Sequence, residues 1–233
     1  MSDTLIGIGS YTATEAARLL RLDGARERLP DLSAATIYRW LAGYSYSYKG
    51  ERRFSEPLWD PQIPTVDNQD HLEIGFRDLV ELRFVRSFLA LGLGLPTIRT
   101  CLDRAREIVG DTRPFSTDRF RTDGKTIFLR ITEDLDEPQL IDLKHRQYAF
   151  NTLVSPSFRD LDFEEVVIRW WPLNKRMVVL DPARSFGQPI VAETGVSGCR
   201  RNRRFGRARS AHVRCVRSSR SRSVRIPKGA FLL

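Results

Sequence analysis

The chain has little of what builds a disulfide scaffold or a metal centre. Its three cysteines, Cys101, Cys199 and Cys215, are odd in number and widely spaced, which argues against a disulfide framework and for a reducing compartment. Histidine is as scarce: His71, His145 and His212 are scattered, and Cys199, His212 and Cys215 make at most three ligands where a closed zinc site needs four. No run of about 18 apolar residues is present to span a bilayer. The first residues, MSDTLIGIGSYTATEAARLL, lack the basic region and continuous apolar stretch of a signal peptide. These absences lead us to expect a cytoplasmic protein without a membrane anchor.

Catalytic signatures are equally sparse. No serine motif with a positioned His and Asp occurs, and GLGLP at 92–96 lacks the preceding strand and full glycine pattern of a phosphate loop. Carboxylates do bunch in TEDLDEP (Glu133, Asp134, Asp136, Glu137) and in DLDFEE at 160–165. A magnesium-dependent enzyme acting on nucleic acid would need Asp134 or Asp136. Acidic residues within one loop rarely converge on one ion without help from other elements, so a solvated turn is expected instead. The sequence is read as a non-enzyme with no metal and no cofactor.

Acidic residues are missing altogether from the last 36 positions. Residues 198–233 hold 12 of the 38 Lys and Arg and none of the 29 Asp and Glu, which leaves 26 basic against 29 acidic residues, a net −3, for 1–197. The formal +9 of the whole chain is therefore a property of its tail. Such a segment binds polyanions by counterion release, without sequence preference.

What is present is a body with 41% hydrophobic residues, enough for an ordinary core. In YTATEAARLL, Thr12 and Glu15 have the spacing of a reciprocal capping box, followed by an apolar stripe of Ala16, Leu19 and Leu20. A connector from Arg21 to Leu32 carries Gly24 and Pro30. Ser33 then caps a second predicted helix, in which Ile37 and Leu41 face the core, Gly43 supplies the stop, and Thr36, Tyr38 and Arg39 stand off the apolar stripe. YSYSYKGERRF predicts a hairpin, with Tyr44, Tyr46 and Tyr48 on one face packing on the helices and Lys49, Arg52 and Arg53 free to meet phosphates.

WDPQIPTVDNQD reads as a linker. Beyond it, Leu79, Leu82, Val85 and Leu89 mark one helix, and Ile98, Leu102, Ala105 and Ile108 mark a second, as an antiparallel pair with core or dimer stripes. The pair Asp123–Gly124, flanked by Ile127, Leu129 and Ile131 in alternation, predicts a β-hairpin. LIDLKHRQYAF reads as a strand followed by a short helix. VVIRWWPLNKRMVVLDP predicts a hairpin around Pro172–Asn174, with Trp170 and Trp171 on opposite faces. The fold class is α+β: an N-terminal winged helix-turn-helix with a following helix pair, a mixed region with β-hairpins, and a disordered basic tail.

The series YTATEAARLL, TIYRWL, a wing, and FRDLVELRFVRSFLALGLGLPTIR resembles the MerR-type winged helix-turn-helix. RPFSTDRFRTDGKTIFL and VVLDPARSFGQPIVAETGVS are similar to a subgroup of VapB-type antitoxins. The resemblance divides the chain into a winged helix-turn-helix at 1–59, a linker at 60–73, a helix pair at 74–111, a mixed α/β region at 112–184, the start of a C-terminal antitoxin domain at 185–197, and the Arg/Ser-rich tail at 198–233. It implies a partner toxin of the PIN-fold ribonuclease kind, self-repression at operator DNA, and a homodimer. DNA contacts are expected from Thr36, Tyr38, Arg39, Lys49, Arg52 and Arg53. The toxin-contacting surface is not assigned. A stand-alone MerR-like regulator sensing a small ligand is the alternative. After Ser197 the amphipathic helices implied by the resemblance do not follow, and a truncated or frameshifted C-terminus is expected from the abrupt change to Arg-rich sequence.

Overall fold

A computed structural model describes residues 7–24, 29–64, 72–133, 135, 143–172, 176–192, 196–197, 213–214 and 223–224. Most of the tail, and with it the expectation of disorder or an altered frame, lies outside the described residues. So do Asp134, Asp136 and Glu137. Within the tail only the short antiparallel pair Val213–Arg214 with Ser223–Val224 is described.

The N-terminal elements follow the local signals. Strand β1 (Tyr11–Thr12) leads into helix α1 (Ala13–Gly24). The Glu15 carboxylate accepts from the Thr12 amide at 3.0 Å while Thr12 Oγ1 accepts from the Glu15 amide at 3.2 Å, so two amides that the helix itself cannot satisfy are paired. Helix α2 (Ala34–Ala42) starts at Ser33, whose hydroxyl accepts from the Thr36 amide at 3.1 Å. Strands β2 (Tyr44–Tyr48) and β3 (Glu51–Ser55) form the expected hairpin, turning at Lys49 and Gly50, both with positive φ. Strand β4 (Glu73–Ile74) returns to pair with β1.

Helix α3 (Phe76–Ala90) is the hub. Every residue from Phe76 to Phe88 except Arg77 is buried, so this helix is wrapped on all sides rather than presenting one stripe to a partner helix. Helix α4 (Leu95–Val109) lies against it, with Ile98, Cys101, Leu102 and Ala105 inward and Pro96 in its first turn. Phe84 and Phe88 reach Phe115 with ring centroids 5.5 and 5.2 Å away, and Phe120 meets Phe84 edge-on at 5.9 Å. This aromatic cluster joins α3 to the second half of the chain.

The hairpin expected at Asp123–Gly124 does not form: residues Asp118–Glu133 are one helix, α5. Phe120, Gly124, Ile127, Phe128 and Ile131 make a single buried stripe at spacings of three and four, and that longer period outweighs the alternation of Ile127, Leu129 and Ile131. Thr117 starts it, its hydroxyl accepting from the Phe120 amide at 3.2 Å. Gly124 sits under the Phe150 ring, which an added Cβ would approach to 3.4 Å. The glycine marks close packing, not a turn.

Helix α6 (Leu143–Ala149) continues through a π turn, Phe150–Val154, into a 3-10 turn, Ser155–Phe158. The expected hairpin around Pro172–Asn174 is only partly present, and residues 173–175 lie outside the described residues. Strand β6 (Val167–Trp170) pairs with the preceding β5 (Leu161–Phe163), whereas β7 (Val178–Val179) pairs with β8 (Ile190–Val191), which in turn pairs with β9 (Val196–Ser197). The two expected arms touch through a bridge between Trp170 and Leu180. The Trp170 indole is fully buried and donates to Asp160 at 3.0 Å, and that of Trp171, half-buried just past the end of β6, donates to Asp162 at 2.8 Å.

Candidate nucleic-acid interface

Burial divides α2 cleanly. Ile37, Trp40 and Leu41 point into the core, which leaves Tyr38 and Arg39 exposed and Thr36 half-buried. The Thr36 hydroxyl is 2.8 Å from Ser33 Oγ, so it shares its hydrogen-bonding capacity with the cap. Gly43 ends the helix at φ 73° and ψ 170°, a conformation essentially restricted to glycine. A Cβ there would come within 2.6 Å of the Phe54 ring. Only glycine lets the chain leave α2 and enter the ribbon this tightly.

The ribbon stands in solvent on both faces. In the antiparallel register Tyr46 is opposite Arg53 and Tyr48 opposite Glu51, with Ser45–Phe54 and Ser47–Arg52 on the other side. The tyrosine face was expected to pack on the helices. Tyr46 and Tyr48 are instead 41% and 48% exposed, and only Tyr44, nearest α2, is half-buried. A two-stranded ribbon beyond the first residue pair has no second layer above it, so alternation alone does not bury a face.

Cations take the place of the missing layer. The Arg39 guanidinium lies 6.0 Å from the Tyr44 ring centre, Arg53 lies 4.9 Å and the Lys49 ammonium 5.5 Å from that of Tyr48. The Tyr44 and Tyr46 rings are 5.9 Å apart and tilted by 46°. Arg53 also pairs with Glu51 at 3.3 Å across an exposed surface, a contact of small energetic consequence. Arg52 is exposed on the opposite face. Arg39, Lys49 and Arg53 therefore line the tyrosine face, Arg52 lies on the other, Tyr38 is exposed on α2, and Glu51 is the single acid on the ribbon. The exposed rings of Tyr46, Tyr48 and Phe54 escaped the sequence reading; the missed signal was that no following segment had the pattern to cover them.

The base of the ribbon is held from α4. Arg99 donates to Ser55 Oγ and the Pro57 carbonyl, both at 3.1 Å, and to the Glu56 carbonyl, while Arg106 reaches the Leu58 carbonyl at 3.1 Å. The Leu58 amide in turn donates to the Trp40 carbonyl near the end of α2 at 2.7 Å. These bonds fix where the ribbon leaves the body.

Two of the four carboxylates of DLDFEE have structural work, while Glu164 and Glu165 are exposed. Asp160 pairs with Arg83 and accepts from Trp170, and Asp162 accepts from Trp171. Among the described residues no group of three or more His, Cys, Asp and Glu is placed to hold a metal ion, and no helix is long and apolar enough to cross a membrane.

No protein-family model matches the chain. It is 27% identical over 209 residues to the Mycobacterium tuberculosis protein named "Putative antitoxin VapB45", an alignment covering 80% of this chain and 78% of that one. The crystal structure of Rv2018 from Mycobacterium tuberculosis matches with a TM-score of 0.56 at 21% identity, over 80% of this chain and 81% of that chain. The chain is thus similar in sequence to a protein named as a VapB antitoxin and shares its mixed α+β fold with Rv2018.

Proposed function

We propose that this protein is the antitoxin of a type II toxin–antitoxin pair, that it binds and neutralises a PIN-fold ribonuclease toxin, and that it represses its own operon as a DNA-bound homodimer. The antitoxin half of this reading is supported by the similarity to the protein named VapB45. The DNA-binding half is carried by one observation: Tyr38 and Arg39 on α2 are exposed, next in the chain to a basic ribbon that no other described element covers. In this reading α1 and α2 act as a MerR-like helix-turn-helix. Helix α2 enters a major groove with Thr36, Tyr38 and Arg39 towards base edges or phosphates, and Lys49, Arg52 and Arg53 hold the backbone alongside. One such module buries too little surface for tight operator binding, hence the homodimer on an inverted repeat. No reaction is assigned to the chain.

Coexpression with the product of the neighbouring gene tests the first half. A stable complex that relieves the growth arrest caused by that gene supports it, and a ligand-dependent operator response without such a complex supports a MerR-like regulator instead. For the second half, Arg39→Ala is expected to weaken binding to the upstream duplex about tenfold or more in a gel-shift titration. Unchanged affinity removes Arg39 from the contact set.

A further inference from the structure

Seven large apolar side chains are exposed among the described residues, and four of them, Tyr38, Tyr46, Tyr48 and Phe54, fall on α2 and the ribbon. That concentration does not help the fold, since among the described residues no layer lies above either face of the ribbon. It coincides with Arg39, Lys49, Arg52 and Arg53, so whatever covers these rings must also neutralise cations. A B-form duplex supplies phosphates but keeps its base faces stacked and out of reach. An acidic protein surface supplies charge but few flat π faces. An unpaired strand supplies both at once, at the spacing of a phosphate and a free base per nucleotide.

We propose that the ladder formed by Arg39, Tyr44, Tyr46, Arg53, Tyr48 and Lys49 is a binding site for single-stranded nucleic acid, with bases stacking on Tyr46 and Tyr48 and phosphates pairing with Arg53 and Lys49. The proposal rests on the reading of this surface as one that binds nucleic acid, but it names a different ligand from the operator duplex. Tyr48 is the centre of the site, since its ring already attracts two cations within 6 Å. A base displacing one of them stacks on a ring whose orientation the other still holds.

Fluorescence anisotropy of the full chain with labelled oligothymidylate, oligouridylate and the upstream duplex, each over a range of salt, separates the possibilities. The double substitution Tyr46→Leu with Tyr48→Leu is expected to weaken single-strand binding about tenfold or more. It leaves the slope of log affinity against log salt unchanged, because no phosphate contact is lost. Arg53→Gln lowers that slope by about 0.7, and Tyr48→Trp retains the parent affinity. The Arg-rich residues 198–233 are common to every variant and cancel in each comparison. A difference between the two oligonucleotides tells DNA from RNA as the source of the strand. Unchanged single-strand affinity in the double variant overturns the proposal while duplex binding by the parent leaves the operator reading intact. Absence of duplex binding with tyrosine-dependent single-strand binding does the reverse. Loss of a protein partner on Tyr48 substitution, with nucleic acid binding untouched, reassigns the face and overturns the proposal.

Discussion

Helix α3 places charged side chains where charge is most costly, and each is held by a partner from a different part of the chain. Asp78 accepts from the Trp59 indole at 3.0 Å, from the Gln62 and Gly75 amides at 2.7 and 3.0 Å, and from Arg113 at 2.6 Å. Arg83 pairs with Asp160 and lies 5.2 Å from the Trp170 ring. Arg86 donates to the Pro30 carbonyl at 3.0 Å and to that of Leu20. Glu81 is the least compensated: Oε1 accepts from the Ser116 amide at 2.9 Å, but Oε2 is buried without a hydrogen-bond partner. Burial pushes its carboxyl up to about 8, against the opposing pull of the Ser116 amide, Arg77 and Arg113. The unfolded chain releases this proton near the ordinary carboxylate pKa while the folded chain keeps it, so stability falls as pH rises from about 4.5 to about 8 and is level above. Glu81→Gln removes that slope. Urea midpoints of parent and variant measured across this range are expected to diverge as pH rises, the variant being relatively more stable at the alkaline end. These partnerships were not legible in the sequence, because Arg83 and Asp160 are 77 residues apart and a charged residue on a helix reads as solvent-facing until its partner is known.

Elements that close on themselves were readable, and those that depend on a neighbour were not. The Thr12–Glu15 box, the Ser33 cap and the Lys49–Gly50 turn involve residues at most a few positions apart, and each forms as its local chemistry dictates. Asp123–Gly124 carries a strong short-range turn signal and lies inside α5, because Phe150 and Phe120 pack where the glycine leaves room. The tyrosine ribbon was recognisable as a ribbon, but not its exposure, since that depends on what fails to come over it. Gly43 is the element boundary with least latitude. Gly43→Ala combines a backbone conformation closed to side chains with a clash against Phe54. It is expected to destabilise the protein by more than about 1 kcal/mol in thermal unfolding and to weaken nucleic-acid binding, by displacing the ribbon from α2.

At the level of the whole molecule, charge and structure are segregated. The described core belongs almost wholly to residues that carry a net −3, and the formal +9 of the chain arises from 198–233. Deleting 198–233 is expected to flatten the salt dependence of binding to unrelated duplex and to raise the preference for the upstream sequence over it, both read by competition titration. Preference unchanged by the deletion would assign the tail no part in non-specific binding. The basic tail dominates the composition, yet the candidate site rests on four cations of α2 and the ribbon. Net charge and the candidate site therefore lie in different parts of the chain.

Tyr11 offers its hydroxyl to the Gly187 carbonyl at 2.6 Å, and the Ser10 amide donates to the Phe186 carbonyl at 3.0 Å. A side chain at 187 would collide with that phenol, so the junction requires glycine. The anchor for the first strand is thus translated some 176 residues after the strand itself. During synthesis the amino-terminal helices emerge long before their final brace exists, and they must wait, incompletely clamped, until the ribosome has delivered the far side of the molecule.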